Sequence, residues 1–502
     1  MPGLPEPILR SSARTSGARS TGLLQLMLTK GGDPRISPDP VTRRNAYGAG
    51  TVPAPGEISF ASTTANTISV PGFAAAGRAL DLLLTAAPSS TSNLTQWFDG
   101  IRASIASFLG VPGSETILAA SGTDAELLAL GLVAAVSKRP LTNILIAPEE
   151  TGSGVPLAAS GQHFSNYTAL GASVAQGRAI EGLASHEIEV ECVAIRDPHG
   201  APREAEAIDS DAGEAVERAL RRGRDVLLHV LDTSKTGLTG LNREAARALA
   251  AAAPGRVRVV IDACQLRSGL MQVKRDLDDG FIVLATGSKF AGGPPFSGVV
   301  LLPASLAGEI AAEAAFARGL GEYSAALDWP RSLRNRFGDT WVSHTNIGPG
   351  LRWAAALDGI AAMAGVSEDL QARIAHRFAN EVSAGARALK EVALCDSSGG
   401  SFASRTIVPL TILNRDGSFA SLTAAREVQA ALRKPGCGPI CHVGQAVRLG
   451  ARTVLRIAAS AYTIAGVAAR MSAGASLDLA FRPVQYDLER LFEKWSSIET
   501  PA

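Results

Sequence analysis

The chain has 502 residues, room for two to four domains or one large two-lobed unit at roughly 100–200 residues per domain. Hydrophobic residues make up 46% and charged residues 19%, which excludes a disordered chain, and aromatics at 5% leave few stacking platforms for nucleic acid. Lys plus Arg (48) balances Asp plus Glu (47), so no global field calls for DNA, RNA or an anionic membrane as partner.

Residues 1–55 are proline-rich with few acids and read as a flexible N-terminal extension. Residues 56–95 form an N-terminal segment expected to pack with a smaller domain. An amphipathic stretch, Trp97–Leu109, opens a region where short apolar runs alternate with Ala-rich helical text. The runs Thr116–Ala120, Asn143–Ala147, Val226–Leu231, Val257–Ile261 and Phe281–Ala285 read as buried strands. Asp124–Ser137, Asp211–Arg222 and Arg243–Ala253 read as helices between them, and Ile180–Arg222 as an insertion or surface crossover. Such alternation predicts an α/β fold, with a mostly parallel sheet flanked by helices over a large domain at 96–345. After about residue 346 the text changes to long helices (Leu351–Met363, Leu370–Ala388) and short strands (Ile407–Asn414, Thr453–Ala458), the pattern of a smaller α+β C-terminal domain at 346–502.

Five scattered cysteines give no disulfide framework and suit a reducing cytoplasm. The most apolar stretch, Ile117–Val136, is interrupted by Asp124 and Glu126, so no membrane helix is expected.

Three segments carry candidate chemistry. Lys289 follows the apolar run Phe281–Ala285 through Thr286-Gly287-Ser288, with Gly292-Gly293-Pro294-Pro295 behind it. A lysine at the carboxyl end of a buried strand sits where open α/β sheets bind ligands, and the hydroxyls of Thr286 and Ser288 can bind an oxyanion. Asp262 ends the preceding strand in Ile261-Asp262-Ala263-Cys264-Gln265. A buried carboxylate there needs a cation, such as a protonated pyridine nitrogen, or else serves as a helix cap. Gln265 can reach a phenolic ring oxygen. Ser121-Gly122-Thr123 joins a strand to a helix, and the free N–H groups of that helix start favour a phosphate. Together they describe a pyridoxal-phosphate site: phosphate cradle, ring-nitrogen acid and Schiff-base lysine, in that chain order.

In these segments the sequence resembles the class V aminotransferase and cysteine desulfurase group of fold-type I pyridoxal-phosphate enzymes. Asp262-Ala263-Cys264-Gln265 resembles its Asp-x-Ala-Gln segment, and Ser288-Lys289 followed by Gly293-Pro294 its His-Lys-x-x-Gly-Pro segment. Ser343-His344-Thr345-Asn346 resembles a Gly-Thr-Pro-Asn stretch, which implies a phosphate contact from His344 or Thr345 to a neighbouring subunit and hence a homodimer. Val454-Leu455-Arg456-Ile457 resembles a Leu-Arg-Ile-Ser segment, which implies that Arg456 grips the substrate carboxylate; a structural salt bridge is the other reading of that arginine. Thr151 stands where the group has a ring-stacking His, and Lys235, in Thr233-Ser234-Lys235-Thr236-Gly237, falls in a segment that usually reads Ser-Asn-x-x-Gly. Cys441 resembles the sulfur-accepting Cys of one desulfurase branch, although His442 follows it instead of preceding it. No metal site is expected. The resemblance implies an aminotransferase acting on a small α-amino acid and a keto acid, with Lys289 as the catalytic group. A desulfurase-like or other β-eliminating lyase, and a non-catalytic binding protein of the same fold, are the alternatives.

Overall fold

The structure is a computed structural model that describes residues 18–85, 91–313, 315–334, 341, 345–395 and 401–498. Its strands, in chain order, are β1 (Ile58–Phe60), β2 (Glu115–Ala119), β3 (Leu141–Ile146), β4 (Glu189–Val193), β5 (Asp225–Leu231), β6 (Val257–Ala263), β7 (Ile282–Thr286), β8 (Gly298–Leu302), β9 (Val392–Leu394), β10 (Ile407–Ile412), β11 (Cys441–Leu449) and β12 (Arg452–Ala458). Seven of them form one sheet in the order β2-β8-β7-β6-β5-β3-β4. All neighbours pair in parallel except β8, which runs antiparallel to both β2 and β7. The contiguous apolar runs are explained by burial on both faces: every residue of β3, β5, β7 and β8 is buried.

One face of this sheet is covered by the helix Gly122–Val136, which is buried nearly all round and packs Leu127, Leu128 and Leu130 against β7 and β8. The other face carries the helices Thr91–Phe108, Ala205–Arg221 and Arg243–Ala252. The stretch 180–222, expected as an insertion or crossover, supplies the edge strand β4 as well as the crossover helix Ala205–Arg221. β4 escapes a hydrophobicity reading because its Glu189 and Glu191 face outward to Arg222 and Arg218, as edge strands often do.

The remaining five strands form a second sheet, ordered β1-β11-β12-β10-β9, with its own apolar core. β1 joins it in parallel with β11, so residues 58–60 do pack with the C-terminal lobe. The rest of the 56–95 segment behaves differently. The helix Val70–Thr85 packs on the helix Ile347–Met363, which itself belongs to the large lobe: Leu351 and Trp353 lie in that core, and Trp353 Nε1 donates to Gly298 O at 2.8 Å. The helix Ile347–Met363, expected in the smaller domain, thus buries most of its apolar residues in the large-lobe core, while Met363 at its end packs against the small-lobe core.

The N-terminal extension also departs from expectation. Over its described residues it is docked, not a free arm. The helix Ala18–Leu28 buries Leu24 and Leu28, and Ile36 is buried further along. Arg352, fully buried, donates to the carbonyls of Leu28 (3.0 Å), Lys30 (2.6 Å) and Gly31 (2.7 Å), and to that of Phe296. Proline-rich composition signals a lack of regular structure, but a few apolar anchors and one arginine suffice to fix the segment.

Candidate functional site

The carboxyl ends of β2, β3, β5, β6 and β7 meet at a cleft, the place where parallel sheets expose loop residues and helix starts. Each strand contributes its next few residues: Ser121-Gly122-Thr123 after β2, Glu150 and Thr151 after β3, Thr233 and Lys235 after β5, Asp262 with Cys264 and Gln265 at the end of β6, and Thr286, Ser288 and Lys289 after β7.

Lys289 is positioned by its backbone. Asn66 Nδ2 donates to the carbonyls of Ser288 (2.9 Å) and Lys289 (2.8 Å), and Thr286 Oγ1 donates to Cys264 O at 2.7 Å. Gly287 and Gly293 lie so close to Ala356 that a Cβ on either would sit 2.4 Å or 2.6 Å from its methyl. That explains the glycines around the lysine: the loop must press onto the helix Ile347–Met363. Phe296 closes the loop with φ +68°, a left-handed conformation unusual for a bulky residue, and Arg352 holds its carbonyl.

Asp262 Oδ1 accepts from Cys264 N at 3.0 Å, and the Asp262 carboxylate faces the cleft. Ser121 caps the helix Gly122–Val136: its Oγ accepts from Asp124 N at 3.2 Å and donates to Asp124 Oδ2 at 2.5 Å. The hydroxyl is thus engaged within the turn, and the first-turn N–H groups at Gly122 and Thr123 are what the cradle offers an anion. Burial pushes the Asp124 carboxyl up to about 7 despite its Ser121 bond. Gln265 Nε2 donates to Thr63 O at 3.1 Å. Gln265 Oε1 and Thr63 Oγ1 are buried and lack a protein partner.

The predicted residues Ser121, Gly122, Thr123, Thr151, Asp262, Gln265, Thr286, Ser288 and Lys289 line this one cleft. Thr345 is exposed and outside it, and His344 lies outside the described residues. Arg456 is fully buried behind the wall: its Nη1 donates to Gln445 O and its Nη2 to Thr64 Oγ1 at 3.2 Å, while Nε has no partner. Cys441 is not brought to the cleft. It starts β11 opposite Ile58, fully buried in the small-lobe core, with Sγ 3.5 Å from Pro439 O, and burial pushes its thiol up to about 11. His442 next to it pairs with Glu57 at 2.9 Å. Among the described residues, no group of three or more His, Cys, Asp and Glu side chains is placed to hold a metal ion, and no helix is long and apolar enough to cross a membrane.

Sequence reasoning missed Arg35, Tyr47, Phe296 and the partners of Glu150, and gave Lys235 no role. Arg35 and Tyr47 reach the cleft from the docked N-terminal segment; Asp33 holds the Arg35 guanidinium through Nε at 2.9 Å, and the guanidinium carbon lies 5.4 Å from the centre of the Phe296 ring. Glu150 is buried and accepts from Arg196 Nε (2.5 Å), Ser234 Oγ (2.6 Å) and Thr236 Oγ1. That network fixes the loop carrying Lys235, whose N donates to Glu150 O at 3.0 Å. The doublet Glu150-Thr151 and the hydroxyl-rich run Thr233–Thr236 were the available signals.

No family profile and no curated protein matches the sequence. Solved structures do. The chain superposes on the cystine C–S lyase C-DES, in its complex with cysteine persulfide, with a TM-score of 0.55 at 13% identity, covering 87% of this chain and 98% of that one. A NifS-like protein matches with a TM-score of 0.52 at 13% identity, over 88% of this chain and 100% of the other. Oryza sativa TDC with PLP matches with a TM-score of 0.52 at 12% identity, over 88% and 84%. The chain therefore has the fold-type I architecture of pyridoxal-phosphate enzymes.

Proposed function

We propose that this chain binds pyridoxal 5'-phosphate in the cleft and acts on a small α-amino acid. The observation that carries the reading is the convergence of Lys289, Asp262 and the helix start at Gly122 on one cavity, from the carboxyl ends of three strands of a fold-type I sheet. The unpartnered Thr63 Oγ1 and Gln265 Oε1 in its wall fit a polar ring substituent. When bound, the cofactor supplies an electron sink for carbanion chemistry at the substrate Cα. Asp262 would keep a proton on the ring nitrogen by its negative charge. The N–H groups of Gly122 and Thr123, with the Arg35 guanidinium in the same cleft, would bind the phosphate. Lys289 Nζ would hold the cofactor and would move the proton at Cα as general base and acid.

Amino-group transfer to a keto acid is the reaction we favour over sulfur transfer to a protein thiol. Cys441 lies away from the cleft, and Cys264, which lines it, is held well above the usual thiol range by burial and by Asp262 beside it. Neither is a thiolate acceptor. We also propose a homodimer, in which exposed Thr345 faces a second copy. The test is product analysis on cofactor-loaded protein: a transaminase yields no more than one equivalent of 2-keto acid until a second keto acid is added, and releases no free ammonia at any stage. Sustained release of ammonia with pyruvate from cysteine would instead establish the lyase reading.

A further inference from the structure

Among the described residues, three cationic side chains line the cleft: Arg35, Lys235 and Lys289. Two of them are engaged. Arg35 is held by Asp33, its Nε 2.9 Å from Oδ1 and 3.0 Å from Oδ2, and on the reading above it serves the phosphate. Lys289 serves the cofactor and the proton at Cα. Lys235 is left: among the described residues its Nζ makes no hydrogen bond and no ion pair. Glu150, whose carbonyl accepts from Lys235 N at 3.0 Å, has its carboxylate bound by Arg196, Ser234 and Thr236. The loop is fixed at its backbone. Ser234 N donates to Leu238 O at 2.7 Å, Thr236 N donates to Ser234 Oγ at 3.1 Å, and Gly237 turns the chain at φ +89° against Ser404. It follows β5, which lies beside β6 on the side away from β7, so in strand order Lys235 stands across Asp262 from Lys289. Arg456, to which the resemblance gives the substrate carboxylate, is fully buried, lines no part of the cleft, and donates to Gln445 O and Thr64 Oγ1 behind its wall.

We propose that Lys235, from the large lobe, binds the α-carboxylate of the substrate in place of a small-lobe arginine. The proposal rests on the reading of the cleft as a pyridoxal-phosphate site. It departs from what the resemblance implies, because the arginine of that segment is here committed to the wall and the loop after β5 carries a lysine with no anion of its own. An ammonium partly withdrawn from water and left without an anion is costly. A carboxylate brought beside it relieves that cost and adds a charge-assisted hydrogen bond. A lysine acts as a point charge on a flexible stem, not as a planar fork, so recognition here is by charge more than by bidentate geometry. An amine that lacks the carboxylate leaves Lys235 as it was, and this difference is what the cleft would use to choose an amino acid over a simple amine.

The experiment is equilibrium absorbance titration of the cofactor-loaded full chain with L-alanine and with L-alaninol, the same amine carrying a hydroxymethyl group where alanine has its carboxylate. It is run at about pH 6, below the value of about 7 to which burial pushes the Lys235 ammonium, so that the charge is present. Wild type should bind alanine on the order of 10-fold more tightly than alaninol. Lys235→Met should bring that ratio to within about threefold by weakening alanine alone, whereas Lys235→Arg should keep most of it. Lys235→Gln, which removes the charge and keeps a polar side chain, should behave as Lys235→Met does and takes its place if the methionine variant loses cofactor. Structural damage would weaken both ligands alike and leave the ratio. A ratio untouched by removal of the charge in protein that still takes up cofactor, or no preference for alanine in wild type, overturns the proposal and leaves the cofactor reading standing. A wild-type chain that takes up no cofactor before any ligand is added fails the underlying reading, and this proposal with it.

Discussion

Arg196 Nε lies 2.5 Å from Glu150 Oε1, and both side chains are buried at the junction of the loops that follow β3 and β5. Arg196 also binds Gly200 O at 2.9 Å and Thr236 Oγ1 at 2.8 Å, so one guanidinium ties three chain segments beneath the cleft. Removing it leaves the Glu150 carboxylate buried without its cation. Arg196→Ala should therefore cost about 3–5 kcal/mol of stability, read from denaturant unfolding. A loss under about 1 kcal/mol would mean that Ser234 and Thr236 alone satisfy the carboxylate.

Lys289→Ala should fold normally and take up cofactor only reversibly. Mass spectrometry after borohydride reduction distinguishes this: wild type retains a protein-linked adduct and the variant does not. An adduct persisting in the variant would transfer the role to another amine, Lys235 being the neighbour in the cleft.

On the proposed reading, Asp262→Asn removes the negative charge that would face the ring nitrogen and keeps the side-chain shape. Each unit by which the ring-nitrogen pKa falls is about 1.4 kcal/mol of lost cation stabilisation, so turnover should drop by orders of magnitude. The accompanying measurement is cofactor affinity, which should weaken too. Turnover near wild type would reduce Asp262 to the local turn formed with Cys264 N.

Arg352→Met deletes the donors to Leu28, Lys30, Gly31 and Phe296 carbonyls. With those acceptors left buried, the docked segment should loosen by at least about 3 kcal/mol. Limited trypsin digestion should then cut faster at Lys30, Arg35, Arg43 or Arg44 than in wild type, and cofactor affinity should fall as Arg35 leaves the cleft. Unchanged digestion would place the anchoring in Leu24, Leu28 and Ile36 instead.

Asp328 is buried, accepts from Ala325 N at 2.7 Å, and is pushed up to about 7 by burial. The folded chain thus holds a proton that the unfolded chain releases near the usual carboxylate value. This contribution to stability is complete at low pH and is lost as pH rises from about 4 to about 7, with a slope of up to about 1.4 kcal/mol per pH unit. Asp328→Asn should flatten that slope in melting temperatures measured across the range. Identical slopes in variant and wild type would show that Asp328 is ionised when folded.

The sequence alone determined the large sheet and many of the residues that line the cleft. Parallel strands buried on both faces must be contiguous apolar runs, and their carboxyl ends are where loops and helix starts are exposed, so Ser121-Gly122-Thr123, Asp262 and Lys289 could be placed from pattern and chain order. Tertiary structure decided everything that depends on which distant segments touch. The N-terminal segment is pinned by Arg352, more than 300 residues away, which no local composition can reveal. Cys441 and Arg456 have plausible local text, yet burial in the small-lobe core removes the thiol from the site and sets the guanidinium behind its wall. Lys235 gains its place in the cleft only because the Glu150 network folds its loop there, and burial then pushes its ammonium down to about 7.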